Sequence, residues 1–245
     1  MIGARKRGIY VNNEEGFSAV CRQLFGEGNL SLDEGAELFS YGIEIPAKRI
    51  TIEGGSTHTN YGGEKYVNKK EVEKLTEDGH IFPEEKIESI EDIRRLYSNL
   101  RSFLGDKAID AQNMEKSDNV LASSDVYMST NIIECKNVGF SYSLFRCEYV
   151  YGSKNLDSCS FSLRCQDSRL LNNCFEVSWS AKCTDSMFCH NSFDLRDCLF
   201  CFHLASKQYC IANRQYSREE YFRIKGILLE HLKKNGYRAD FFPQL

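Results

Sequence analysis

Cysteines dominate the chemistry that this sequence could carry. Eleven occur in 245 residues, and ten of them lie between Cys135 and Cys210. Cys198 and Cys201, in the stretch "CLFC", have the spacing of one half of a tetrahedral zinc site, which Cys210 or a histidine would have to complete. A metal- or redox-responsive cysteine module is therefore one hypothesis for the function.

Nucleophilic catalysis is a second possibility, and the sequence favours it less. A reactive thiol needs a nearby base, and no local pairing of cysteine with histidine is present. His58 lies in the loop "GGSTHTNYGG", whose glycines lack the spacing of a phosphate-binding loop. An enzyme with a site in the N-terminal region remains an alternative, but we expect no catalytic residues, no cofactor and no enzymatic activity.

A period of three residues runs through the cysteine-rich half of the chain and accounts for the cysteines without a metal. The order Val, Ser, Leu, Cys occurs at Val138, Ser141, Leu144 and Cys147 and recurs from Val150. Every cysteine from Cys135 to Cys210 falls in the same phase of three. The apolar and thiol members of this series are Val126, Ile132, Cys135, Val138, Leu144, Cys147, Val150, Leu156, Cys159, Cys165, Leu171, Cys174, Val177, Cys183, Cys189, Leu195, Cys198, Cys201 and Leu204.

Neither a helix nor an ordinary strand repeats at three residues, whereas a chain wound into a narrow coil can turn inward that often. The pattern reads as units of about 12 residues, with one extra triplet at Ser162. Small inward residues suit so narrow a tube, and no proline interrupts residues 84–242. The sequence therefore predicts a β-solenoid, which we expect to be right-handed, with reduced cysteines as small core residues. Stacked cysteines would also be close enough for disulfides.

Aromatic residues recur between the inward positions. They occur in the pair of residues that follows every fourth inward position. If the extra triplet is an insertion, these pairs lie on one face of the coil. We call this set the aromatic ribbon: Tyr149, Phe161, Phe175, Phe188 and Phe200. An apolar strip of that length needs a cover. Either helices of the same chain cover it, or it is the docking face for another protein.

The flanking regions predict an α+β organisation. Residues 1–120 read as a mixed helical N-terminal region, 123–206 as the solenoid, and 207–245 as an exit segment with a capping helix. Capping patterns predict helices beginning near Asn12 or Asn13, near Ser31 and near Ser217. The amphipathic stretch 87–104 predicts a helix packed on the body, and the polar stretch 105–122 reads as a connector.

Charge and composition restrict the classes of partner that we expect for this chain. The net charge of −4 gives no field that favours nucleic acid, and no apolar run approaches the roughly 20 residues of a membrane helix. The first residues carry no secretory signal pattern. We expect a protein partner or self-assembly, no specific nucleic acid, no membrane, and a location in the cytoplasm or in a particle assembled there.

Residues 198–221, "CLFCFHLASKQYCIANRQYSREEY", resemble the end of a group of cysteine-rich repeat proteins of candidate-phyla bacteria and phage-like genomes. In that group a Ser/Cys period of three leads into a Cys-Phe-x-x-Leu segment, then "YCI-x-N-x-x-YS-x-EEY" and a helix. Many of its members begin with a cysteine zinc ribbon, which Cys21 alone cannot form. The resemblance implies a solenoid and no known activity.

These observations favour a non-catalytic structural or adaptor protein. We expect it to be a subunit of a larger assembly, such as a phage or virus particle, held through solenoid and N-terminal surfaces. The expectation of a phage or virus particle rests on the resemblance alone.

Overall fold

The N-terminal half consists of short helices and two small sheets. The structure, a computed structural model, describes residues 12–77, 83–166, 172–178 and 183–237. The elements before the repeat are α1 (Asn13–Phe25), α2 (Leu32–Phe39), β1 (Ala47–Ile50), β2 (Ser56–Thr59), β3 (Tyr66–Val67), α3 (Lys69–Glu77), α4 (Ile90–Leu100) and β4 (Phe103–Leu104). The predicted starts of the first two helices are confirmed, because Asn12 caps α1 and Ser31 forms a capping box with Glu34 at α2.

The second half is a β-solenoid of about seven turns, which confirms the predicted fold class. Its parallel strands are β5 (Ala108–Ile109), β6 (Gln112–Glu115), β7 (Asp118–Leu121), β8 (Ser124–Tyr127), β9 (Thr130–Ile133), β10 (Lys136–Gly139), β11 (Tyr142–Phe145), β12 (Glu148–Tyr151), β13 (Lys154–Asp157), β14 (Ser160–Gln166), β15 (Asn172–Ser178), β16 (Phe193–Arg196) and β17 (Ala205–Gln208). A hairpin of β18 (Cys210–Ile211) and β19 (Arg214–Gln215) and the helix α5 (Arg218–Lys234) end the described chain.

The solenoid begins earlier than the sequence suggests. β5 pairs with β7 and β6 with β8, so the interpretation of residues 105–122 as a connector is wrong. Ala111, Met114, Ser117 and Val120 continue the inward series of three, and they pack or lie buried beside its core. Most of the polar residues between them face outward, which is why the stretch looks like a connector when only its composition is considered.

Each coil whose register the described residues show contains 12 residues, and the extra triplet does not lengthen it. Val126, Val138 and Val150 are in register, and Val150 is followed by Ser162 and Cys174 with the same spacing. The expectation of an insertion at Ser162 is therefore wrong. Instead, the triplet moves the order Val, Ser, Leu, Cys by one inward position, which is one side of the coil, relative to the earlier coils. Two seven-residue strands, β14 and β15, lie at this shift, where other strands of the long sheet have four residues or fewer.

Serine and cysteine alternate with aliphatic residues because they replace backbone hydrogen bonds at the corners between strands. The buried Ser141 hydroxyl donates to the carbonyl of Gly139 (2.7 Å) and accepts the N–H of Ser153 from the next coil (3.1 Å). Cys135 does the same with its thiol, which accepts the N–H of Cys147 at 3.3 Å. Valine and leucine lie inside the strands, where the backbone groups pair with neighbouring strands.

The residue before each inward position adopts a left-handed backbone. The φ angles of these residues lie between 38° and 58° at every third position from Asp110 to Tyr149, and again from Asp185 to Ala212. Many are asparagine or aspartate, the residues besides glycine that tolerate this conformation best. This second period of three lies one residue before the first, at inward positions inside strands and at corners alike.

Alanine at such a position is strained, and we expect Ala122→Gly to stabilise the chain. Ala122 has φ of 48° and is exposed, so the substitution removes no buried contact. Relief of the left-handed strain, which is roughly 1–2 kcal/mol, exceeds the entropy that glycine adds to the unfolded chain. The midpoint of urea unfolding should rise by the equivalent of about 0.5–1 kcal/mol. Ala205→Gly, in the exposed strand β17, should lower it instead.

One side of the solenoid is covered by helices. α1 lies across β8, β10, β12 and β15. Phe17 of α1 inserts between Phe140 and Tyr151, with ring centroids 5.6 and 5.0 Å away. Further along the same buried cluster, Tyr221, Leu228 and Leu232 of α5 join the solenoid residues. We call this face, which carries Tyr127, Phe140, Tyr151, Met187, Phe188 and Leu199, the covered side.

Side chains from the flanking segments form hydrogen bonds with both ends of the solenoid. At the start, the Thr59 hydroxyl of β2 donates to the buried carboxylate of Asp118 at 2.7 Å. At the end, the Asn213 amide binds both the N–H and the carbonyl of Phe202, at 3.0 and 2.9 Å. Lys207 occupies the position in register below Leu195 and is exposed, and a charge there discourages edge pairing with another chain.

Candidate docking surface

The cysteines are packing residues of the solenoid core. Cys135, Cys147, Cys159, Cys183, Cys189, Cys198, Cys201 and Cys210 are buried in one cluster with the valines and leucines. The other predicted core positions Val126, Ile132, Val138, Leu144, Val150, Leu156 and Leu195 belong to the same cluster, and Leu204 packs against it. The side chains of Cys165, Leu171, Cys174 and Val177 lie outside the described residues.

The zinc hypothesis for Cys198, Cys201 and Cys210 finds no support in their geometry. Among the described residues, no group of three or more His, Cys, Asp or Glu side chains is placed to hold a metal ion. Each of the three thiols points to backbone carbonyls, such as Leu199 O at 3.3 Å from the Cys201 sulfur. Hydrogen bonding with Cys201, reinforced by burial, raises the pKa of the Cys189 and Cys198 thiols far above the usual range.

The aromatic ribbon predicted from the sequence is not one face. Because the coil keeps 12 residues across Ser162, Phe175 is in register with Leu163 and Tyr151, whereas Tyr149 lies two residues before Tyr151 in the same strand. Phe188 is 1% exposed on the covered side, and Tyr149 and Phe200 are partly buried against the same cluster. The side chains of Phe161 and Phe175 lie outside the described residues. Docking through Phe188 is therefore excluded, because helices of the same chain cover it.

His58 serves the junction between the N-terminal sheet and the solenoid. Its backbone N–H and its ring Nδ1 each lie 3.1 Å from Oδ1 of Asp106, a residue with φ of 50° just before the first coil. Gly105 packs closely against the same residue, because a Cβ at this position would lie 2.5 Å from the carbonyl oxygen of His58. The histidine thus holds a turn together.

A lysine–tyrosine–aspartate cluster ties α2 to the solenoid. Lys116 donates to the Tyr127 hydroxyl at 2.5 Å, and the hydroxyl donates to the carboxylate of Asp33. This hydrogen bond from Tyr127, with the nearby ammonium, lowers the pKa of Asp33, and the hydrogen bond to Tyr127 raises the pKa of Lys116. Tyr127 is 6% exposed, so its hydrogen bond to Asp33 anchors α2 on the solenoid.

The amphipathic helix α4 presents its apolar face to solvent. Sequence periodicity predicts that Ile87, Ile90, Ile93, Tyr97 and Leu100 pack on the body, and this prediction is wrong. These residues, which we call the α4 stripe, are 53%, 55%, 48%, 60% and 59% exposed. The helix itself is well formed, with a capping box between Ser89 and Asp92. Four large apolar side chains on an exposed helix, with Ile87 just before it, mark an interaction surface rather than a solvated face.

A second apolar surface follows an uncovered side of the solenoid. Ile109, Leu121, Ile133 and Phe145 stand in register on successive coils, and we call them the apolar ladder. Ile109 and Leu121 are exposed, and the other two are partly so. Arg146 covers Phe145 at 4.5 Å from its ring and pairs with Glu134 at 2.8 Å. The ladder is therefore narrower and more polar at its border than the α4 stripe.

Neither surface is visible in the sequence as such. The stripe is recognisable as a periodic pattern, but its exposure depends on where the rest of the chain packs. Across the parts of the chain that the structure describes, no helix has the length and apolar character needed to cross a bilayer. Comparison of the chain with protein-family models, with curated proteins and with solved structures finds no match.

Proposed function

We propose that this chain is a non-catalytic structural or adaptor subunit that joins a larger protein assembly through its exposed apolar surfaces. The α4 stripe is the observation that carries the proposal. Its five side chains gain from leaving water, at roughly 25 cal/mol per Å² of apolar surface, and no element of the described chain covers them. A phage or virus particle is the assembly that the sequence resemblance favours.

The roles of the reactive side chains support the same proposal. His58 holds the solenoid entrance, Tyr127 anchors α2, and the thiols satisfy backbone groups inside the coil. The solenoid is a stiff rod whose inner residues are fully used for packing, while its uncovered sides repeat at each coil. Such a rod suits the spacing and orientation of partners.

The test is the size of the native complex that contains the chain. In extract of the organism that produces it, the wild-type chain should sediment far above its own 28.2 kDa. The double variant Ile93→Asp, Tyr97→Asp should lose at least about tenfold of that fraction, because charges on the stripe oppose burial at an interface. Both positions are exposed, so the variant should fold normally.

Ile227→Asp is the matched control, since Ile227 is 57% exposed on α5, away from both surfaces. A wild-type chain that sediments as a single copy in native extract would contradict the proposal. So would a double variant that stays in the complex as well as the control does.

A further inference from the structure

The α4 stripe has two different borders. With 100° between successive helix residues, Arg94 and Arg101 lie along one edge of the stripe, and Leu96 lies along the other. Leu96 is partly buried, so that edge is the one nearer the body. A partner that covers the stripe must therefore contact the edge formed by the two arginines.

These arginines are available for new ion pairs. Arg94 meets Glu91 at 3.4 Å on the exposed surface, a contact worth little in water. Arg101 lies over the rings of Tyr97 and Phe103, at 5.9 and 4.9 Å. Within the described residues, no carboxylate lies within ion-pair distance of Arg101. The partner's matching edge should thus be acidic.

A second copy of the chain fits this surface poorly. A two-fold axis that pairs two α4 helices in opposite directions brings the same edge of both helices together, so the arginines of one copy would face those of the other. Parallel pairing would instead press the arginine edge against the edge nearer the body. Both arrangements are unfavourable.

We propose that α4 docks against an acidic amphipathic segment of another protein, with apolar side chains on the stripe and carboxylates beside Arg94 and Arg101. The inference rests on the proposed function and adds the chemistry of the partner. A contact of about three helical turns is small, so we expect a dissociation constant in the micromolar range, roughly, for this contact alone.

Two synthetic helical peptides of about 20 residues test the charge preference directly. Both carry the same leucine stripe, and its borders are glutamate in one and lysine in the other. At about 50 mM salt the full chain should bind the glutamate peptide at least about tenfold more tightly, by fluorescence anisotropy. At about 0.5 M salt the difference should shrink below about threefold, because the ions screen the exposed charges.

Charge-reversal variants of the chain test which arginines cause the preference for the glutamate peptide. Arg94→Glu with Arg101→Glu should invert the preference, whereas Arg95→Glu, on the opposite face of α4, should keep it. Ile93→Asp should abolish binding of both peptides. Equal binding of the two peptides, or inversion by Arg95→Glu alone, would overturn the acidic partner while leaving the docking function intact.

The oligomeric state of the purified chain is the other decisive readout. We expect a single copy at tens of micromolar in sedimentation equilibrium. A dimer that Ile93→Asp dissolves would make the second copy the occupant and overturn the proposal. Loss of the native complex in Ile93→Asp, Tyr97→Asp without any charge preference for peptides would likewise retain only the general docking function.

Discussion

Phe188→Asp should prevent folding rather than weaken assembly. Phe188 is 1% exposed, and its ring stacks on Phe200 with centroids 4.9 Å apart. A carboxylate in that position would be buried without a partner, at a cost of several kcal/mol. Since the whole stability of a domain is about 5–15 kcal/mol, we expect loss of the β-rich circular dichroism spectrum and insoluble expression.

Phe193→Asp supplies the comparison. Phe193 is 50% exposed on an uncovered side of the solenoid, so the same substitution should leave the spectrum and the melting temperature close to those of the wild type. If Phe188→Asp also folds and melts normally, the covered side is not the interior surface described above, and the helices do not pack on it.

Ser141→Ala should destabilise the solenoid by about 1–3 kcal/mol, although alanine fits the space. The hydroxyl accepts the N–H of Ser153, which would remain buried without another acceptor. The carbonyl of Gly139 still accepts a hydrogen bond from the N–H of Gly152. The free-energy cost therefore comes mainly from the N–H of Ser153, which loses its acceptor. Urea unfolding monitored by circular dichroism should show a lower midpoint with an unchanged slope.

Two further substitutions separate the hydrogen bond from mere packing. Ser141→Cys should cost less than Ser141→Ala, because the Cys135 thiol accepts the equivalent N–H at 3.3 Å. Ser124→Ala, at a half-buried outward position of β8, should change stability by less than about 0.5 kcal/mol. Equal losses for Ser141→Cys and Ser141→Ala would show that the acceptor has no role.

The inward half of the fold was predictable because it depends on local spacing. Val138, Ser141, Leu144 and Cys147 repeat at three residues whatever lies outside the coil, and Cys198 and Cys201 follow from the same phase. The left-handed positions were equally accessible, since asparagine precedes the inward residues Val138 and Leu156.

The outward half was less predictable because it depends on distant parts of the chain. Whether Ser162 starts an insertion or only a shift of pattern is decided by pairing with Val150 and Cys174, not by neighbouring residues. That single ambiguity grouped Phe188 with Tyr149 and Phe161, which occupy a different position of the coil. The exposure of Ile93 and Tyr97 is the same kind of fact, since an amphipathic helix looks alike whether its own body or a partner covers it.

The fixed coil of 12 residues has a consequence for how such a protein can change. Within each triplet one residue faces the core and two face away, so outward residues on the uncovered sides can be replaced without repacking the interior. A gain or loss of three residues rotates every later outward residue by a quarter turn around the rod. An evolving lineage, or a designer, could therefore relocate a binding face around the axis by a nine-base insertion or deletion.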